Sequence, residues 1–173
     1  MPNFSCFFTE ALVHLSDDDL FRAGVAIERA AQEAQNRRLL GGLEVIYLFA
    51  SHITRLKAEL LQPGVDCDGR PDDAEFARLV DQAQTYLDKA LTSNPQYGRG
   101  WIAHGNMAYT AGNLAMAVEH YNYALRLTEQ PVDDFLAEKA HLGLGNVYRV
   151  QYQCVHRNSA GCLRGRAVSQ FLP

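Results

Sequence analysis

The chain has 173 residues, of which 47% are hydrophobic, and its formal net charge at pH 7 is −4. This length is typical of one domain with its own core, and the apolar content excludes disorder over most of the chain. The mild acidity argues against bulk nucleic-acid binding, because proteins with that function carry a large positive surface.

The cysteines and the apolar runs indicate a compartment. Cys6, Cys67, Cys154 and Cys162 are scattered and form no Cys-x-x-Cys pair, so neither a zinc ribbon nor a dithiol redox site is supported. Sparse cysteines suit a reducing compartment. No apolar run approaches the roughly 18 residues of a membrane span, and residues 1–8 lack the positive flank and cleavage site of a signal peptide. We therefore expect a cytoplasmic protein without membrane attachment.

The first third of the chain predicts three helices. Apolar residues at helical spacing predict a short helix within residues 1–15. Ser16-Asp17-Asp18-Asp19 predicts the start of a second helix that reaches about Asn36, with Ser16 as its capping residue and acids at the positive end of its dipole. A metal site at these acids is the alternative, but capping explains them without further ligands. After a linker at residues 39–42, a third helix is predicted from Leu43 to Leu61.

Residues 62–73 interrupt the helical pattern. Proline and glycine recur there, which predicts a loop. Asp66-x-Asp68-Gly69 resembles the start of a calcium loop, but the other ligands of an EF-hand do not follow at the required spacing, so we expect a solvated turn. Residues 74–93 then predict a fourth helix, which Asn94-Pro95 ends.

Residues 98–131 predict a complete pair of helices. Trp101, Gly105 and Ala108 lie at helical spacing in the first half. Ala117, Tyr121 and Ala124 do so in the second half, and Gly112-Asn113 between them is a typical helix stop. The small residues predict a close crossing of the two helices, with Tyr121 among the side chains that fill the space around it.

This pattern resembles the tetratricopeptide repeat (TPR), in which helix A carries an aromatic residue and then Gly, and helix B carries Ala, a large residue and Ala. His104 and Ala108 depart from it, because Leu and Tyr are usual at those places. The residues that carry the resemblance are Trp101, Gly105, Asn106, Gly112, Ala117, Tyr121, Ala124 and Leu125. The helix B spacing also occurs at Ala23-Ile27-Ala30 and Ala83-Leu87-Ala90, and Gly145-Asn146-x-Tyr148 repeats the helix A pattern.

The resemblance implies an all-α fold of antiparallel helix pairs, stacked as a short right-handed superhelical solenoid. Residues 1–153 would form the repeat domain, with a degenerate repeat at 1–38 and a repeat with a long insert loop at 43–97. The best-matching repeat would span 98–131, and a partial repeat 132–153. No helix B pattern follows Tyr152, so residues 154–173 are expected to be an irregular tail, truncated or altered relative to a longer array.

In this family the A helices line a concave groove that binds proteins. From its pattern we expect these groove residues: Arg99, Ile102, Ala103, Asn106, Tyr109, Thr110, Lys139, Leu142, Gly143, Asn146, Arg149 and Val150. Asn106 and Asn146 can bond a peptide backbone, and Arg99 and Lys139 can attract a carboxylate. This partly resembles the carboxylate clamp for chaperone C-termini, although Ile102 and Leu142 replace its basic residues. The alternative is that the asparagines serve helix packing and the cations are merely solvated.

The function expected from the resemblance is that of a protein-interaction scaffold or adaptor without catalysis, cofactor or metal. A regulatory sensor that binds a peptide or small ligand and controls an associated effector is the alternative, and ligand-dependent hydrogen exchange would distinguish it. A helical enzyme is disfavoured, because no nucleophile motif or phosphate-binding loop accompanies the six histidines. The expected partner is a protein or peptide segment, not nucleic acid, and the sequence does not determine the oligomeric state.

Overall fold

The computed structural model describes residues 4–17, 19–36, 42–61, 74–127 and 134–169, with side chains described from residue 5 to residue 156. Within these ranges the chain is helical, with no strand. The helices are α1 (Phe4–Ser16), α2 (Leu20–Asn36), α3 (Leu43–Leu61), α4 (Ala74–Ser93), α5 (Gly98–Thr110), α6 (Leu114–Leu127) and α7 (Asp134–Ser169). The expected all-α fold class is confirmed. Among the described helices, none is both long and apolar enough to traverse a lipid bilayer.

The boundary between α1 and α2 differs from the predicted one. Ser16 is the last residue of α1, and its Oγ donates a hydrogen bond to the carbonyl oxygen of Val13 at 2.6 Å. Asp19 caps α2 instead, since its Oδ1 accepts the backbone N–H of Arg22 at 3.0 Å. The predicted capping role of Ser16 is therefore wrong. Ser and Asp are similarly good capping residues, so the local sequence did not distinguish them.

The turn between α5 and α6 agrees with the prediction. Gly112 has φ 76°, a left-handed conformation that glycine adopts without a Cβ clash. The N–H groups of Gly112 and Asn113 donate to the carbonyls of Tyr109 (2.9 Å) and Ala108 (2.8 Å), which is the Schellman pattern that closes a helix. Asn113 then caps α6, because its Oδ1 accepts the N–H of Met116 at 3.2 Å.

Consecutive helices pack against one another along the chain. α1 packs on α2, α3 on α4 and α5 on α6, and each of these pairs contacts the next through α2–α3 and α4–α5. α6 contacts α7 in turn. In addition, α3 contacts α5 and α5 contacts α7, so the odd-numbered helices from α3 onward lie beside one another.

Alanines dominate the contact between α2 and its neighbours. Ala23, Ala30 and Ala34 are fully buried on one face of α2, and Ala50 of α3 belongs to the same cluster. Ile27 fills the space between them. Methyl side chains at these places let the helix axes approach closely, as the repeated spacing of small residues predicted.

Tyr121 of α6 lies between glycines of two other helices. Its side chain is 2% exposed. A Cβ atom placed at Gly105 of α5, or at Gly143 of α7, would lie less than 3.0 Å from atoms of its ring. The predicted close crossing at Gly105 is confirmed. The assignment of Gly143 to a groove is wrong, because this residue is buried against Tyr121.

The C-terminal part of the chain also differs from the prediction. The backbone of α7 is helical through Ser169, so the irregular tail expected from residue 154 is wrong for residues 154–169. The helix B pattern describes how a second helix packs on the first. Its absence therefore does not stop α7 from continuing as a single helix. This segment contains no proline, and isolated glycines weaken a helix by only about 1 kcal/mol each. The predicted loop at 62–73 and the turn before α7 at 128–133 lie outside the described residues.

The three glycines near this junction provide a matched test. Gly105→Leu and Gly143→Leu should each lower the free energy of unfolding by roughly 1–3 kcal/mol or more, because the new side chain collides with the buried ring of Tyr121. Gly145→Leu should be neutral or stabilising, because a Cβ there meets no atom within 4 Å and leucine is the better helix former. Urea unfolding followed by circular dichroism measures all three. Equal stability of the three variants would contradict the packing described here.

Candidate functional site

A cavity of about 330 Å³ lies between α3 and α5. Helical spacing places the contributing side chains on one face of each helix. The cavity is lined by Leu48, Phe49, Ser51, His52 and Arg55 of α3 and by Arg99, Ile102, Ala103 and Asn106 of α5. The lining surface is mostly apolar, and its polar groups are two guanidinium groups, one imidazole, one amide and the hydroxyl of Ser51.

Arg55 is held in place by its own helix. It forms an ion pair with Glu59 one turn later, and its Nη2 atom lies 3.3 Å from Nδ1 of His52. Burial, and secondarily the charge of Arg55, lower the pKa of His52, so this imidazole is neutral at pH 7 and its Nδ1 can accept that hydrogen bond. Thr110 of α5 donates to Glu59 at 3.1 Å, which ties the end of α5 to the same ion pair.

Arg99 and Lys139 meet at the ring of Phe135. The guanidinium carbon of Arg99 lies 5.7 Å from the ring centroid, and Nζ of Lys139 lies 5.2 Å from it. Phe135 itself is 54% exposed at the start of α7. Cations at this distance are attracted to an aromatic ring. The ring therefore links the cation at the α3–α5 cavity to a second cation on α7.

Asn106 is oriented by the buried ring at the helix junction. The hydroxyl of Tyr121 donates to its Oδ1 at 2.7 Å. Burial raises the pKa of Tyr121, so the hydroxyl keeps its proton and remains the donor at all ordinary pH values. This bond orients the side-chain amide, so Asn106 can offer its Nδ2 group as a donor to a ligand in the cavity.

The structure brings together only part of the predicted groove. Of the expected residues, Arg99, Ile102, Ala103 and Asn106 line the cavity, and Lys139 joins Arg99 through Phe135. Tyr109, Leu142, Asn146 and Arg149 are not among the lining residues. Thr110 and Val150 are buried, which contradicts their assignment to a groove surface, as does the buried position of Gly143.

The expected groove residues included none of the five α3 residues that line the cavity, nor Phe135 of α7. His52 and Arg55 stand at helical spacing with Leu48, which is a signal that α3 has a mixed polar face. That signal does not say which helix the face meets, since the repeat containing α3 departs from the usual pattern. Phe135 lies at the start of α7, at a position for which the TPR pattern specifies no residue. The resemblance therefore could not indicate it.

A second polar cluster surrounds His104, which stands where the repeat pattern has a leucine. His104 is 5% exposed. Its Nδ1 lies 2.9 Å from Nε2 of Gln84, and its Nε2 lies 3.4 Å from Oδ1 of Asp88. Burial, and then the charge of His120, lower the pKa of His104 to about 4, although Asp88 acts in the opposite direction. At pH 7 the neutral ring therefore accepts from Gln84 and donates to Asp88.

Neither the metal-binding residue types nor the cysteines define a further site. Within the part of the chain that the structure describes, no three His, Cys, Asp or Glu side chains are placed to hold a metal ion. Cys6 is exposed and keeps its thiol, whereas Cys154 is disulfide-bonded. The spacing of the cysteines therefore does not by itself identify a reducing compartment.

No family model matches this chain, and no curated protein matches it. The geometry of the cavity and of the helices around it is therefore the basis of the function proposed below.

The histidine cluster predicts a pH dependence of stability. Because the pKa of His104 is about 4 in the folded chain and 6.5 in the unfolded one, the unfolded chain takes up the proton first as the pH falls. Stability should therefore be constant above about pH 7 and should decrease between pH 6.5 and 4. The loss attributable to His104 is at most about 3 kcal/mol. Burial also lowers the pKa of His120, so this residue adds to the loss of stability at low pH.

Urea unfolding at pH 7.5, 5.5 and 4.5, with wild-type chain and His104→Leu, measures this effect. Leucine keeps the site apolar, as in the usual repeat, and removes the titrating group. The difference in stability between pH 7.5 and 4.5 should be smaller in the variant. The same difference in both proteins would show that His104 does not remain neutral on folding.

Proposed function

We propose that the chain is a protein-interaction scaffold or adaptor, built as a short right-handed solenoid of TPR-like helix pairs, and that it binds an acidic segment of a partner protein at the α3–α5 cavity. In this proposal the chain acts by binding rather than by catalysis, and no cofactor takes part.

The order of helix contacts supports the solenoid. In a repeat array each helix pair packs on the next, and the first helices of successive pairs line one surface. α3, α5 and α7 follow this order, since α3 contacts α5 and α5 contacts α7. Tyr121 of α6 donates a hydrogen bond to Asn106 of α5. This bond connects the second helix of the pair to the surface on which α5 lies beside α3 and α7.

The observation that carries the proposal is the cavity shared by two successive first helices. Leu48 and Ile102 contribute apolar surface to its lining, while Arg55, Arg99 and Asn106 supply polar groups. A mainly apolar pocket with a few convergent polar groups is the usual composition of a ligand site. A guanidinium group also binds carboxylates well, because its N–H groups can pair with both carboxylate oxygens.

The positions of the cations favour an extended acidic segment. A segment that crosses α3, α5 and α7 in turn would pass Arg55, Arg99 and Lys139, the last two both near the ring of Phe135. The exposed ring of Phe135 offers an apolar contact between them. The Nδ2 group of Asn106 would donate to a backbone carbonyl of such a segment.

Selection from a displayed library of random peptides tests this proposal, because such a selection does not require the partner to be identified first. Peptides that bind the wild-type chain should be enriched in Asp and Glu, and their affinity should fall as the salt concentration rises. Arg99→Ala combined with Asn106→Ala should weaken the selected peptides by about tenfold or more, which corresponds to at least about 1.4 kcal/mol. Arg99→Ala alone should leave the melting temperature nearly unchanged, because Arg99 is exposed. Asn106→Ala removes the acceptor of the Tyr121 hydroxyl and should lower the melting temperature, so binding is measured well below the melting temperature of the double variant.

Arg126→Ala is the matched control. Arg126 is an exposed arginine that lies on a tyrosine ring of α6, away from the cavity, so its loss should leave peptide affinity unchanged. If selected peptides bind the doubly substituted chain as well as the wild-type chain, the cavity is not the interface. An equal loss with Arg126→Ala would indicate that only overall charge attracts the peptides.

A further inference from the structure

One face of α7 is exposed, although the matching face of α5 is covered. His141, Gly145, Tyr148 and Tyr152 follow one another at intervals of three or four residues, so they lie on one side of the helix. Tyr148 is 53% exposed and Tyr152 is 65% exposed. A Cβ atom at Gly145 would meet nothing within 4 Å. We call these four residues the α7 stripe.

The corresponding residues of α5 show what such a face can bind. Trp101, Gly105 and Ala108 occur 40 positions before His141, Gly145 and Tyr148. On α5 this face is covered by α6, whose Tyr121 ring lies against Gly105. The helix that covers α5 carries Ala117, Tyr121 and Ala124 on its buried side. A helix with that arrangement of small and aromatic residues therefore fits a glycine-containing face of this kind.

The α7 stripe is separate from the surfaces already described. α7 packs on α6 through a different side, on which Ala140, Gly143 and Val147 are buried. The ring of Phe135, at the cavity described above, belongs to the first turn of α7, before the α7 stripe begins. Occupation of the α7 stripe would therefore add a second interface to the chain.

Charge indicates which kind of helix would bind there. After Glu138 the sequence contains five Lys or Arg residues and no Asp or Glu. The first 138 residues hold the remaining 11 basic and all 20 acidic residues, a net charge of −9. Arg149 and His156, on the same helix as the α7 stripe, are exposed. An acidic helix would complement this surface, whereas pairing of two α7 helices would place like charges together.

We propose that the α7 stripe binds an acidic amphipathic helix of a partner protein, whose contact face has the small-x3-aromatic-x2-small arrangement of α6. The aromatic ring of that helix would lie over Gly145, as Tyr121 lies over Gly105. Tyr148 and Tyr152 would flank it, and the acidic residues of the partner would face Arg149.

Peptides derived from α6 provide the probe. The acidic probe has the sequence of residues 113–127 with the exposed residues Met116, Asn122 and Arg126 replaced by glutamate. The basic probe carries lysine at the same three positions. A third probe is the acidic one with Tyr121→Ala. A side-chain lactam between positions 115 and 119, both exposed in α6, keeps each short peptide helical.

Binding is measured by fluorescence anisotropy with the full chain at low salt. The acidic probe should bind at least about tenfold more tightly than either the basic probe or the probe without the tyrosine ring. Gly145→Leu should weaken the acidic probe by a similar factor, because the leucine side chain occupies the place of the ring. The melting temperature of Gly145→Leu should not fall, which separates loss of binding from loss of folding.

Gln153→Ala is the matched control, since Gln153 is exposed on α7 outside the α7 stripe and its loss should leave binding unchanged. Absence of binding by the acidic probe, or binding that Gly145→Leu does not weaken, would overturn the proposal. Light scattering tests the other possible occupant of the α7 stripe, which is a second copy of this chain. If the wild-type chain is a dimer and Gly145→Leu makes it monomeric, the α7 stripe binds a second copy and the proposed acidic partner is wrong.

Discussion

The ring of Tyr121 fills the space between α5 and α7, where each helix has a glycine in place of a side chain. The ring lies where a Cβ atom of either Gly105 or Gly143 would be, and its hydroxyl donates to Asn106. A single side chain of α6 thereby sets the distance between two helices that do not follow each other in the sequence. Burial keeps the hydroxyl protonated, so the hydrogen bond does not depend on ordinary changes of pH.

This contact also determines the geometry of the candidate site. The position of α7 relative to α5 places the ring of Phe135 beside both Arg99 and Lys139. The bond from Tyr121 fixes the side-chain amide of Asn106 at the edge of the α3–α5 cavity. Interactions that stabilise the core therefore also orient the groups that we propose to bind a partner, and a change in the core at this point would alter the site.

Local patterns in the sequence predicted the helices well, because spacing and stop signals act within one segment. The bounds of α3 and α4 and the left-handed Gly112 agree with the prediction. Contacts between segments were harder to predict. Gly145 matched Gly105 by spacing, yet Gly143 faces Tyr121, because α7 meets α6 through another side than α5 does. Half of the cavity was also missed, because groove residues were expected only from the repeats at 98–131 and 132–153, whereas Arg55 comes from α3.

The most direct test of the central contact is nuclear magnetic resonance with selectively labelled tyrosine. The ring protons of Tyr121 should show nuclear Overhauser effects to the Hα protons of both Gly105 and Gly143, which lie on different helices. Effects to only one of the two glycines, or to neither, would contradict the arrangement in which this ring joins α5, α6 and α7.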